Sequence, residues 1–405
     1  MVTLPDAFMD QTRRTMGADR FERFLASFDE ETPVSIRLRP TPNPSQREDR
    51  VPWCRHAFYL SSRPVFTFDP LLHAGCYYVQ EAASMFLDTV LQQHLPERPV
   101  MALDMCAAPG GKSTLMRTAL PEGSVMFSNE PVRQRASILL ENITKWGYDD
   151  CFVTNNYPRD YRKAKMMFDV ILCDVPCSGE GMFRKDAQTI SEWSPQNVER
   201  CWRLQREIVS DAWQCLAPGG LLIYSTCTFN TLENEENVRW ILDTFDASLL
   251  TVDTLSEWNI SGSLLPSLDA PVYRFIPGIT RSEGLFMCAF RKSGTASTQT
   301  LSKSATFARQ KCHSCPPKVP LSVLKSATFE KGAPSVDLPY AQAIAFLRGE
   351  AFMLPPDTPR GIVTITFMGH ALGQMKNLGT RANNLYPKEW RIKSTHVPKD
   401  YVPVI

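Results

Sequence analysis

The sequence predicts an α/β protein: a doubly wound, mostly parallel Rossmann-like sheet, with a small N-terminal region before it and a small C-terminal α+β domain after it. Three observations predict this. Short apolar runs alternate with helical stretches from Gly75 to Lys292. A glycine-rich turn, Asp104–Thr114, follows one such run and opens a helix. A Ser/Thr/Lys/Pro-rich stretch, 293–336, separates this region from a final patterned segment, 337–405. The expected units are therefore 1–74, 75–292, a linker or weakly structured insert at 293–336, and 337–405.

The elements follow in order. Phe8, Phe21, Phe24, Leu25 and Phe28 are spaced as the apolar stripe of a helical segment over 1–30. SIRLRP reads as a short strand that stops at Pro40, TPNPSQREDRVP as a polar loop, and 53–68 as short extended pieces. YYVQ is extended and EAASMFLDTVLQQHL helical. VMALDM is a strand, KSTLMRTAL a helix, VMFSNE a second strand. The next helix is expected to open with Pro131 in its first turn, and CFVTNN is the third strand. FDVILCDVP is a strand, and the long helix after it is expected to end at Gly219–Gly220. LLIYSTCTF is a strand and GLFMCAFR an edge strand. In the last domain YAQAIAFLRG is helical, and IVTITFMGHALGQMKN forms two strands joined at Met368–His370.

Composition is that of a globular protein, with 43% hydrophobic and 21% charged residues. No apolar run reaches bilayer length, and the first residues lack the apolar core of a secretion signal; a cytoplasmic, monomeric protein without a membrane partner is expected. The 12 cysteines do not form a dense disulfide pattern, and Cys106 and Cys173 read as buried thiols. Net charge is only +1, but its distribution is uneven: 301–405 hold 14 Lys/Arg and 6 Asp/Glu, a net of +8, which leaves −7 on 1–300. A basic tail on an acidic body fits an anionic partner and equally a solvated basic surface. Cys312-His313-Ser314-Cys315 has Cys-x2-Cys spacing but lacks a second ligand pair, so no metal site is expected.

The sharpest local feature is the turn Asp104-Met105-Cys106-Ala107-Ala108-Pro109-Gly110-Gly111-Lys112. Small residues let the backbone approach a ligand, and the helix start offers unpaired N–H groups. A Walker A loop would need glycine where Cys106 stands. Glu130 ends the second strand and can accept the hydroxyls of a ribose; Asp104 can meet the cationic end of an S-adenosyl ligand. Arg135 and Tyr157 complete the expected cofactor set, with Asp174 shared between cofactor and substrate.

Two cysteines end neighbouring strands. Asp174-Val175-Pro176-Cys177 follows FDVILC, and Thr226-Cys227-Thr228 ends LLIYS. Strands joined by one helix lie side by side with their carboxyl ends on the ligand edge. Two thiols there suit covalent catalysis. Carbon 5 of cytosine is a poor nucleophile; a thiolate adding at carbon 6 makes it reactive, and Asp174 is the candidate to hold N3.

DMCAAPGGKST, DVPCSGEGMFRK and YSTCTF, in this order and spacing and preceded by AGCYYVQEAASM, resemble the Sun-type RNA cytosine-5 methyltransferases. The run GQMKNLGTRANNLYPKEWRI is similar to their RsmF-like, ribosomal-RNA branch. The resemblance covers nearly the whole chain outside 293–336. It implies an S-adenosylmethionine-dependent methyltransferase fold, with Cys227 as nucleophile, Cys177 assisting product release, Asp174 on the base, and the Cys106–Lys112 loop with Glu130 on the cofactor. It also implies an RNA-contacting N-terminal region, a PUA-like RNA-binding C-terminal domain, and 16S ribosomal RNA or the small subunit, not DNA, as partner. Transfer RNA as substrate and a non-catalytic RNA-binding or assembly role are the alternatives. The chain departs from the pattern at Asn155-Asn156-Tyr157-Pro158, where relatives carry an aspartate, and at Pro277-Gly278 and Ser282-Glu283-Gly284.

For RNA contacts outside the pocket, Arg184 and Lys185 are expected to meet phosphates. In the last domain Lys376, Arg381, Lys388, Arg391 and Lys393 interleave with Tyr386 and Trp390, either as an RNA-binding surface or with the two aromatics in the core.

Overall fold

The computed structural model describes residues 3–41, 47–295, 321–325, 329–394 and 396–405. The Cys312–Cys315 stretch and the first KSATF copy lie outside the described residues.

The N-terminal region holds α1 (Asp6–Met16), α2 (Ala18–Ala26), β1 (Val34–Leu38), β2 (Ala57–Leu60), α3 (Pro70–His73) and β3 (Tyr77–Val79). Gly17, at φ 77°, divides the expected helical segment in two. Phe8, Phe21 and Phe24 are fully buried against Phe183, Trp193 and Phe229 of the next domain. The YYVQ piece does not open the central sheet. Tyr77–Val79 pairs antiparallel with β1 in a three-stranded sheet ordered β2-β1-β3.

The central domain runs through α4 (Leu87–His94), β4 (Met101–Asp104), α5 (Gly111–Ala119), β5 (Val125–Asn129), α6 (Arg133–Trp146), β6 (Cys151–Thr154), α7 (Pro158–Lys163), β7 (Phe168–Asp174), α8 (Ala187–Glu192), α9 (Pro195–Cys215), β8 (Leu216–Thr226), α10 (Glu235–Thr244), β9 (Ala247–Leu250), β10 (Tyr273–Phe275) and β11 (Leu285–Lys292). The sheet order is β10-β11-β8-β7-β4-β5-β6, with β9 also on β11; β6, β5, β4, β7 and β8 are parallel. Side chains alternate between two cores: Ala102, Met126, Leu172 and Ile223 face one, and Leu103, Phe127, Ile171 and Leu222 the other. Burial on both faces is what the near-continuous apolar runs require. The strand order reverses between β4 and β7, which opens a crevice at their carboxyl ends.

Three expectations are corrected here. The helix after β5 begins at Arg133, and Pro131 precedes it. The long α9 ends at Cys215, four residues before the glycines, because Lys292 donates to the Trp213 and Leu216 carbonyls at 2.8 Å and caps it there. Gly219 and Gly220 instead shape a bulge inside β8, where a side chain at 220 would strike the Ala217 carbonyl at 2.7 Å. GLFMCAFR is not an edge strand: β11 lies between β10 and β8, with Phe286 through Phe290 fully buried.

Val323, from the expected linker, bridges to Thr154, and Leu324 N donates to the Val153 carbonyl at 2.8 Å; this segment covers the outer edge of β6. The C-terminal domain has β12 (Ser335–Asp337), α11 (Tyr340–Leu347), β13 (Gly361–Phe367), β14 (His370–Asn377) and β15 (Ala382–Asn384), in a four-stranded sheet ordered β12-β13-β14-β15. Met368 and Gly369, both at positive φ, make the expected hairpin turn. This domain shares a core with Ile36, Phe66, Phe68 and Tyr77 of the N-terminal region, and Tyr401 donates to Asp69 at 3.2 Å. Tyr386 and Trp390 belong to that core, 2% and 8% exposed, which decides against an aromatic RNA surface. Lys376, Arg381, Lys388 and Lys393 are exposed, and Arg391 is half-buried. No helix among the described residues is long and apolar enough to cross a membrane.

Candidate active site

The crevice between β4 and β7 gathers the residues singled out in the sequence. β4 ends at Asp104, and the chain turns through Cys106–Gly110 into α5. Three contacts pin the turn: Ala107 N to the Asn129 carbonyl at 2.8 Å, Asn142 Nδ2 to the Pro109 carbonyl at 2.8 Å, and Arg135 to the Ala108 carbonyl at 3.1 Å. The Ala108–Pro109 peptide is cis, and Gly110 sits at φ 118°, closed to a side chain.

Asp104 is 1% exposed; its Oδ2 accepts from Ser113 at 2.6 Å, while Oδ1 is buried without a hydrogen-bond partner. Burial pushes its carboxyl up to about 7, against the pull of the Ser113 hydroxyl. A buried acceptor with no donor leaves its desolvation uncompensated, and a cationic ligand group would complete it. Glu130, 2% exposed, accepts from Val132 N at 2.9 Å and pairs with Arg135 at 3.2 Å, which leaves lone pairs for two hydroxyl donors. The orphaned Asp104 oxygen, the turn of small residues and Glu130 fit an S-adenosyl ligand. Cys106 is half-buried beside one core; Tyr157 stands exposed at the rim with the Arg159 guanidinium 4.8 Å from its ring centroid.

Lys112, on the first turn of α5, pairs with Asp174 Oδ2 at 2.9 Å, and Ser225 donates to Oδ1 at 2.7 Å. Burial alone would lower the Lys112 ammonium, but the Asp174 charge and hydrogen bond hold it above its ordinary value. β7 and β8 pair in parallel with Asp174 opposite Ser225, so the two cysteine turns leave the sheet together. Cys177 Sγ and Cys227 Sγ are 3.3 Å apart, and Cys227 N also points at the Cys177 sulfur, at 3.3 Å. Hydrogen bonding to Cys227 and burial push the Cys177 thiol well above its ordinary range, so it keeps its proton.

Sequence reading missed what joins these turns. Glu180, from the first turn, accepts from Phe229 N at 2.7 Å and Asn230 N at 3.0 Å. Glu233, from the second, accepts from Ser178 N at 3.0 Å and Gln205 at 2.6 Å. Asn230 Nδ2 lies between the carboxylates, at 3.1 Å from Glu180 and 2.8 Å from Glu233. Burial, then the Glu180 charge, push Glu233 up to about 7. The signal was the stretch Asn230–Glu236, polar except for Leu232 and separated by three residues from a buried strand. Arg184 is corrected: it forms a buried pair with Glu283 at 2.8 Å and is not available to phosphate, whereas Lys185 is exposed.

Residues 89–291 match the family model described as 16S rRNA methyltransferase RsmB/F. The chain belongs to this family. Residues 4–82 match the N-terminal domain of RsmF and 333–392 its PUA domain. The RsmB/F chain is 33% identical over 323 residues to ribosomal RNA small subunit methyltransferase F of Cronobacter sakazakii, covering 74% of this chain and 65% of the relative. For the protein of that name from Serratia proteamaculans the identity is 32%, covering 72% and 64%. The chain thus spans just under two thirds of these relatives' length. Among solved structures, a methyltransferase homolog protein from Pyrococcus horikoshii superposes with a TM-score of 0.62 at 25% identity, covering 72% of this chain and 96% of that one. NSun6 from Pyrococcus horikoshii, at 18% identity and TM-score 0.59, covers 72% and 99% and shares the fold. The RsmB/F chain therefore has the Rossmann-like methyltransferase fold with an N-terminal domain and a PUA-like C-terminal domain.

Proposed function

We propose that this chain transfers a methyl group to carbon 5 of cytosine in 16S ribosomal RNA. The observation that carries the reading is the pair of facing thiols, Cys177 and Cys227, beside the Lys112–Asp174 pair and the Asp104 turn. Family membership and the names of the relatives supply the RNA class.

Asp104, the Cys106–Lys112 turn, Glu130 and Arg135 would hold S-adenosylmethionine, which would supply the methyl group. The Cys227 thiolate adds to carbon 6 of the flipped-out cytosine, and the ring's electron pair moves to carbon 5. Asp174, as the acid, donates its proton to cytosine N3 as the ring takes the sulfur and recovers it when the carbon 6–sulfur bond breaks. After methylation the carbon-5 proton leaves to a base, the carbon 6–sulfur bond breaks, and Cys227 departs as thiolate. Cys177, retained as a thiol at 3.3 Å, donates a hydrogen bond to that departing sulfur. Exposed lysines of the C-terminal domain and Lys185 offer the phosphate contacts.

The test is incubation of the protein with S-adenosylmethionine and unmodified small subunits, followed by bisulfite sequencing. New 5-methylcytosine at defined positions supports the reading and names the target. Cofactor binding without ribosomal methylation overturns the rRNA assignment and moves transfer RNA to the front.

A further inference from the structure

Beside the thiol pair is a second concavity of about 330 Å3. The first cysteine turn forms one wall, and α8 and α9 form the others. Asp104, Lys112, Asp174 and Cys227 do not line it, so it is not the place of the reacting base or of the cofactor.

Its lining is mixed in a way that suits an unstacked nucleotide. Leu204, 41% exposed, offers an apolar shelf on α9. Arg200 stands one turn earlier, and Asn197 Oδ1 accepts from its NH2 at 2.7 Å, which orients the guanidinium. Glu192, at the end of α8, supplies an acceptor for base amino groups. Gly179, at φ 74°, has no atom within 4 Å of where a side chain would begin, so this wall is open. Cys177 closes the end nearest the chemistry. RNA outside helices is read through splayed bases that lie on flat or apolar side chains, with their edges hydrogen-bonded. On the proposed function, an RNA strand whose target base enters the crevice has this concavity, closed at one end by Cys177, as a neighbouring surface.

We propose that the cavity between the Cys177 turn and α8–α9 binds the nucleobase adjacent to the target cytosine. This rests on the function proposed above. The site makes the enzyme selective for a single-stranded flank on one side of its target.

The experiment is a chemical double-mutant cycle on an rRNA fragment containing the mapped cytosine. The fragment is made intact, and with an abasic ribose on the 5′ or the 3′ side. Wild-type protein is compared with Leu204→Ala and Arg200→Ala, which change exposed side chains. Removing the base on one side raises the KM for RNA by on the order of 10-fold with wild-type protein. The same substitution has little further effect in the Leu204→Ala protein, while S-adenosylmethionine affinity and Tm hold in all variants. Methylation with equal KM values for both variants and both abasic fragments overturns the subsite and leaves the methyltransferase reading intact. Additive effects of side chain and base removal overturn it as well. Failure of the wild-type protein to methylate both the small subunits and the intact fragment overturns both readings.

Discussion

Cys177 Sγ lies 3.3 Å from Cys227 Sγ although 50 residues separate them in the chain. The contact follows from the parallel pairing of β7 with β8 and from the reciprocal bonds of Glu180 and Glu233 across the two turns. On the proposed function the two thiols have separable roles. Cys227→Ala is expected to lower methylation by on the order of 10^4-fold or more and to leave S-adenosylmethionine binding unchanged. Cys177→Ala leaves addition possible but slows release, so a covalent protein–RNA adduct accumulates. Denaturing gel electrophoresis with labelled RNA checks both: the adduct is expected with Cys177→Ala and absent from the double variant.

On the cofactor role proposed for it, Asp104 is expected to link S-adenosylmethionine binding to pH. Its carboxyl is pushed up to about 7, so the free protein holds a proton there at slightly acid pH. A cation beside Oδ1 favours the charged form, and binding releases that proton. S-Adenosylmethionine affinity therefore rises as pH climbs from 6 to 7 and levels off above. Calorimetry in buffers of different ionisation enthalpy reads the released proton. Asp104→Asn abolishes the dependence and weakens binding by roughly 10-fold or more, the loss of a hydrogen bond between charged groups. For stability the sign follows from the raised pKa: the Asp104 contribution is full below its ordinary range and is lost as pH rises through about 7. Asp104→Asn thus raises the Tm of the free protein relative to wild type at pH 8, raises it less at pH 5, and has little effect below about pH 4.

The Glu180–Glu233 pair is expected to set an acid limit on turnover. Every donor to these carboxylates among the described residues is an N–H, so a proton on Glu233 breaks one bond of the brace. Glu233 is pushed up to about 7, and kcat should fall as pH drops below that value. Glu233→Gln lowers kcat and removes this limb of the pH profile, with the KM for S-adenosylmethionine unchanged. A wild-type limb preserved in the variant would assign it to another group.

Arg274 and Glu235 form a pair that is 1% and 0% exposed, with Arg274 also donating to the Phe229 carbonyl at 2.8 Å. Glu235→Ala strands a buried guanidinium and is expected to destabilise the protein by about 3–5 kcal/mol, measured by urea unfolding. Glu235→Gln, which keeps one acceptor, is expected to lose less.

Much of the site was legible because its residues lie at strand ends. A turn rich in small residues after VMALDM marks a ligand cradle, and cysteines directly after two buried strands mark the same edge of the sheet. The elements that went astray depended on partners distant in sequence. GLFMCAFR is short and apolar up to its final arginine, and such a run fits an interior strand; only pairing on both sides showed that β11 is one. Gly219–Gly220 promised a helix end, but Lys292, over seventy residues away, ends α9 at Cys215. Arg184 looked like a phosphate contact until Glu283 was beside it. Tyr386 and Trp390 carried the pattern of a surface and of a core alike, and packing against Phe346 decided for the core.

By itself the sequence determined the order of the main strands and helices of the central sheet, the glycine-rich turn, and which two cysteines end neighbouring strands, because these follow from local periodicity and from the handedness of strand–helix–strand units. The 3.3 Å approach of the thiols, the partnerless oxygen of Asp104, the carboxylate brace and the cavity beside Cys177 were decided only by tertiary structure. Each is a distance or a burial between segments far apart in the chain, and those are set when the strands pair and the loops pack.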